Sequence, residues 1–139
     1  MAYDSSNIFA RIIRGEIPCH KVYEDEHSLS FMDLMPQAEG HTLVLPKAPG
    51  ENLLDIPAEA LAHTIGVVQR VARAVQQAFT PDGLFIAQFN GPAAGQTVFH
   101  LHFHIIPRWH DRALHGHGRS VEKAEVLAAH AARVRAALG

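Results

Sequence analysis

The sequence predicts an α+β domain on a largely antiparallel sheet, and three patterns carry that expectation. Short apolar runs of strand length, at 21–23, 28–32 and 42–45, are set off by turn-forming residues. Residues 56–79 repeat apolar side chains in steps of three and four, the period of a helix buried along one stripe. Within a strand expected over 97–106, residues 100–105 alternate polar and apolar in steps of two, the period of a strand.

Along the chain, the first helix spans 7–14, where Phe9, Ile12 and Ile13 recur at helical spacing behind a serine cap at Ser5 or Ser6. Gly15 stops it and Pro18 keeps it stopped. Strands at 21–23 and 28–32 follow around Glu24, Asp25 and Glu26, residues 33–40 form a loop, and the 42–45 strand ends at Pro46. The long helix carries Pro57 near its start, where a missing N–H costs little. Its stripe is Leu61, Ile65, Val68, Ala72, Val75 and Phe79. A turn at 80–83 leads to a strand at 84–90, a glycine-bearing loop at 91–95 and the strand at 97–106. Ser120 caps a last, alanine-rich helix to about residue 138, whose Val121, Ala124, Leu127, Ala131, Val134 and Leu138 read as packing. The order is α-β-β-β-α-β-β-α. It forms one domain over 1–139, with a core at about 5–110 and a C-terminal extension carrying the helix at 120–138.

Composition narrows the function classes. The chain is 47% hydrophobic, enough to bury a core without disulfide or metal staples. Its net charge is −2, from 12 basic and 14 acidic residues, which argues against a broad nucleic-acid footprint but leaves room for a nucleotide pocket. Cys19 stands alone, so no intrachain disulfide forms, and a reducing cytoplasmic location is expected. No apolar stretch has the length of a membrane span, and the first residues lack the pattern of a signal peptide.

Histidine is the unusual residue: six of the 11 fall between 100 and 117. In HLHFHII (100–106), His100, His102 and His104 alternate with Leu101, Phe103 and Ile105, so strand geometry puts all three imidazoles on one face. Neighbours on that face start about 6–7 Å apart. The middle one is therefore placed to attack while the outer two flank it. Neutral imidazole is nucleophilic near pH 7, because its ordinary pKa is about 6.5. Attack on phosphorus would give a phosphohistidine and split one substitution into two. Two histidines at i and i+2 are also a zinc-chelating pattern. Upstream, NGPAAGQT (90–97) is a glycine-bearing loop whose N–H groups can approach an anion, with Gln96 and Thr97 adding donors; it also reads as a plain connection. The runs RWHDR (108–112) and HGHGR (115–119) stand either as a cap over the pocket or as solvated loop.

The run at 100–106 resembles the signature of the histidine-triad superfamily. NIFARIIRGEIP (7–18) and FMDLMPQAEGHTLVLPK (31–47) resemble blocks of its branch that acts on nucleoside phosphoramidates, and 90–108 completes a likeness spanning roughly residues 5–110. The resemblance implies a five-stranded antiparallel sheet with a long helix and short terminal helices, pairing into a ten-stranded sheet in a homodimer. It implies that His102 is the nucleophile and that the backbone carbonyl of His100 holds its ring. His104 would stabilise charge and protonate the leaving group, and His41 would be a fourth member of the network. Asp33 would bind ribose hydroxyls. Phe9, Ile12, Phe31 and Leu34 would wall the base, and Asn90, Gly95, Gln96 and Thr97 would contact phosphate and leaving group. Asp33 also reads as a turn former, and the apolar four also read as core.

Some relatives carry a structural zinc on a Cys-x-x-Cys and a later histidine. Those positions are Asn7, Ala10 and Pro49 here, so neither metal nor cofactor is expected. The implied activity is a nucleotide hydrolase or nucleotidyl transferase acting at the α-phosphate of purine nucleoside phosphoramidates or related conjugates. Two alternatives stand beside it: a dinucleoside polyphosphate hydrolase, and a nucleotide-binding scaffold with weak catalysis.

Overall fold

Two apolar clusters sandwich one twisted sheet, and the cleaner of its two faces belongs to the helices. The computed structural model describes residues 2–114 and 120–139. The strands are β1 (Lys21–Glu24), β2 (Ser28–Met32), β3 (Thr42–Pro46), β4 (Gly83–Ala87) and β5 (Phe103–Arg108). They run in the order β1-β2-β3-β5-β4, antiparallel at every pairing. The helices are α1 (Ile8–Ile13), α2 (Ala58–Phe79) and α3 (Ala124–Leu138). The predicted α+β class and element order therefore stand.

Strand alternation divides the core. Met32, Val44, Leu101, Phe103 and Ile105 point to the face covered by α2 and α3, where they join Val67, Val71, Val75, Leu127, Ala131 and Val134. Leu29, Phe31, Leu43 and Leu45 point to the other face and meet Phe9 and Ile12 of α1. This second face carries the site.

Several local expectations need correction. The N-cap of α1 is Asn7, not a serine: its Oδ1 accepts from the Ala10 N–H at 2.9 Å. The buried stripe of α2 is Thr64, Val67, Val68, Val71, Ala74, Val75 and Phe79; Ile65 is half-exposed, and Leu61 and Ala72 sit at the margin. Alanine and valine are spread round this helix, so tertiary packing decides which stripe is buried. The fourth strand ends at Ala87, and a short 3₁₀ turn at Pro92–Ala94 occupies the following loop. The cap of α3 is Lys123, with no side-chain bond, not Ser120. Most consequentially, β5 begins at Phe103, whereas alternation predicts a strand from Thr97; residues 98–100 are a bend.

Candidate active site

α1, the 33–41 loop and β5 enclose a cavity of ≈ 200 Å³. Its walls include Ile8, Phe9, Ile12, Phe31, Leu34, Leu43 and Val98, and its polar groups come from Asp33, Thr97, His102 and His104. Phe9, Ile12 and Phe31 serve both as core and as wall, while Leu34 stands half-exposed at the rim. Phe9 meets Phe31 edge-on with centroids 5.5 Å apart, and meets the His102 ring at 4.8 Å and 89°.

Hydrogen-bond partners fix the protons on four buried imidazoles. The Gln37 N–H donates to His41 Nδ1 at 3.0 Å, so His41 carries its proton on Nε2. That N–H donates to His104 Nδ1 at 2.9 Å, which leaves the His104 proton on Nε2. His102 Nδ1–H donates to the His100 carbonyl at 2.7 Å, so the lone pair of His102 lies on Nε2. His100 Nε2–H donates to the Pro46 carbonyl at 2.7 Å, and its Nδ1 accepts from the Tyr3 hydroxyl at 2.5 Å. Burial pushes the His100 pKa down to about 4 against the opposing pull of the Pro46 carbonyl, so the ring is neutral at pH 7.

The site therefore offers a nucleophilic nitrogen on His102 beside an N–H donor on His104, their ring centroids 4.9 Å apart. Phe89 closes the far side of His104 at 5.3 Å. Asp33 forms a turn and also faces the cavity. Its Oδ1 accepts from the Met35 N–H at 2.8 Å, and its carboxylate lies 3.5 Å from His41 Nε2.

Asp33, His41 and His104 bring one potential ligand atom each within 4.8 Å of one another, the spacing of a metal cluster. The hydrogen-bond pattern gives these atoms a different use. His41 Nε2 holds the proton that bridges to His104 Nδ1, and moving it to Nδ1 would set it against the Gln37 N–H.

The predicted residues divide unevenly. His102, His104, Asp33, Phe9, Ile12, Phe31, Leu34 and Thr97 meet at the cavity, with His41 directly behind His104. His100 does not line the cavity with the other two; its ring is held by Tyr3 and Pro46, and only its carbonyl serves His102. Gln96, predicted as a phosphate donor, gives its amide hydrogens to the Glu51 and Val98 carbonyls at 2.6 and 3.0 Å and accepts from the Gly91 N–H. Asn90 accepts from the Leu53 N–H and exchanges bonds with Gln88. Gly95, in the left-handed region at φ 102°, closes the 3₁₀ turn. These three shape the loop and do not line the cavity. Arg112 stacks over Trp109 at 4.2 Å and pairs with Glu39; none of residues 108–112 reaches the cavity, and 115–119 lie outside the described residues. Tyr3, Cys19 and Phe89 carry no sequence signal that marks them as part of the site.

Fold and site define a class: small α+β proteins with a histidine cluster at the polar end of an apolar cleft. Residues 14–111 match the family profile described as HIT domain, and the chain belongs to that family. A Hit-like protein involved in cell-cycle regulation from Bartonella henselae superposes with a TM-score of 0.92 at 51% identity, over 98% of this chain and 99% of that one. Protein hit of Bacillus subtilis (strain 168) is 48% identical over 102 residues, 73% of this chain and 70% of that protein. Adenosine 5'-monophosphoramidase HNT1 of Saccharomyces cerevisiae is 42% identical over 105 residues, 76% of this chain and 64% of that protein.

Proposed function

We propose that this HIT-family enzyme is a nucleotide hydrolase that cleaves purine nucleoside phosphoramidates at the α-phosphorus through a nucleotidyl-His102 intermediate. The observation that carries the proposal is the bond from His102 Nδ1–H to the His100 carbonyl, which directs the other ring nitrogen to attack. In the first step the His102 Nε2–phosphorus bond forms as the phosphorus–nitrogen bond breaks, and the departing amine takes up a proton. In the second, water attacks phosphorus, loses a proton, and neutral His102 departs. His104 Nε2–H donates to the phosphoryl oxygens or leaving group as charge grows there. Phe9, Ile12, Phe31 and Leu34 take the base, Asp33 the ribose hydroxyls, and Thr97 a phosphoryl oxygen. The name of the yeast relative supports this substrate class.

The proposal includes a homodimer and a cytoplasmic location. β4 is an edge strand whose Phe85 and Ile86 are both half-exposed, and such an edge invites pairing with a second copy. Among the described residues, no helix is long and apolar enough to cross a membrane. Light scattering during size exclusion tests the dimer, with a monomer mass counting against it.

Intact-protein mass spectrometry with an adenosine phosphoramidate and with diadenosine tetraphosphate tests the reaction. A transient gain of one nucleoside monophosphate on wild type, absent in His102→Ala, is the expected result. Faster turnover of the tetraphosphate would move the substrate class. No adduct and no turnover of either would leave a nucleotide binder.

A further inference from the structure

His102 precedes the sheet ladder by one residue, because β5 starts at Phe103. Its backbone is therefore not held by strand pairing. What holds the acceptor of its ring is the peptide unit between His100 and Leu101. The C=O of that unit receives His102 Nδ1–H, and its N–H donates to the Gly50 carbonyl at 2.9 Å. The same unit is steadied from the side by the His100 ring, which is fully buried and bonded at both nitrogens.

One of those two bonds comes from far away in sequence. The Tyr3 hydroxyl donates to His100 Nδ1, and Asn7 Nδ2 donates to the Tyr3 oxygen at 3.0 Å. Asn7 is itself fixed as the cap of α1, the helix whose Phe9 packs on the His102 ring. The Tyr3 and His100 rings also meet edge-on, with centroids 5.7 Å apart. A chain of donors thus runs Asn7 to Tyr3 to His100 to the Pro46 carbonyl, from the first helix to the end of β3.

We infer that Tyr3 is a positioning residue: through the His100 ring it sets the carbonyl that orients the His102 nucleophile. The hydroxyl does this in place of the ladder, as the ring of His100 is gripped between the N-terminal arm and β3. This rests on His102 being the nucleophile. A donor to Nδ1 also favours neutral His100, which keeps Nε2–H as the group that reaches Pro46. Displacing a reacting group by about 1 Å costs on the order of 100-fold in rate.

The test is Tyr3→Phe, which removes one oxygen, followed as steady-state kinetics with an adenosine phosphoramidate, a kcat–pH profile and ¹⁵N spectra of the imidazoles. The expected result is a fall in kcat of about 10- to 100-fold with KM held within about twofold. The acid limb should move to higher pH, because His100 becomes easier to protonate, and the His100 Nδ1 signal should lose its hydrogen-bond shift. Asn7→Ser keeps an α1 cap and removes the amide donor to Tyr3. It should give a smaller effect in the same direction, and it decides the matter if Tyr3→Phe fails to fold. Wild-type kcat and pH profile in these variants, with only a lower melting temperature, would overturn the inference while His102→Ala remains inactive. Turnover persisting in His102→Ala would overturn the nucleophile assignment and this inference together.

Discussion

His102 and His104 are two residues apart and are held by different means. His104 sits inside β5, paired across the ladder with Leu43 and Ala87, and its ring is backed by His41. His102 sits before the ladder, and its ring hangs on a carbonyl steadied by side chains from the N-terminal arm. The contrast teaches that a site can divide its precision. Backbone pairing holds His104, while side-chain bonds support the carbonyl that receives the His102 ring.

The largest expected effect breaks the comparison outright. His102→Ala should lower turnover by roughly 10⁴-fold while leaving nucleotide affinity and fold nearly intact. Single-turnover kinetics check this, and comparable residual turnover in His102→Ala and wild type would remove the nucleophile from the scheme. Next, His104→Ala should cost on the order of 100-fold in kcat. It also removes a buried ring and its bond with His41 Nε2–H, and should destabilise the protein by about 1–3 kcal/mol in denaturant melts.

His41→Ala sharpens the contrast. With the ladder still holding His104, its kcat should fall less than that of Tyr3→Phe, even though it removes a fully buried ring and costs more stability. Equal kcat losses would show that the ladder does not position the donor. Asp33→Asn keeps an oxygen for the Met35 N–H and removes the charge. KM should rise about tenfold with kcat little changed.

The last effect vanishes at neutral pH. His100 titrates ordinarily at 6.5 and is lowered to about 4 in the fold, so the unfolded chain binds the proton first. Its contribution is complete above pH 6.5 and is lost as pH falls toward 4, by as much as about 3 kcal/mol. Urea melts across that window should show the decline, and a flat profile would contradict it.

Much of this was legible in residue order. The period-two and period-3.6 patterns located the sheet and helices, because each requires one buried face. The histidine run announced the chemistry, and the resemblance supplied Asp33 and His41. What pattern could not show was where backbone pairing stops. HLHFH alternates as well outside a ladder as within one, so the pattern does not show that the His100 ring is taken up by Tyr3 and Pro46 and stays out of the cavity. Gln96 was misread for a related reason: an amide is equally suited to phosphate and to backbone carbonyls, and only the approach of Glu51, distant in sequence, selects the latter. Tyr3 joins the site through a contact across 97 positions, which no local periodicity encodes.

α3 bears on how the chain is made. Leu127, Ala131 and Val134 complete the helix-side core, Arg133 and Arg135 donate to the Ala78 and Lys21 carbonyls, and the Glu122 N–H donates to the carbonyl of Leu34 at the cleft rim. That core cannot close until α3 has left the ribosome. Nascent molecules that have not yet released α3 therefore leave part of the helix-side core open, with α2 alone over the sheet, and a stop before residue 127 yields material for chaperones and proteases rather than a trimmed enzyme.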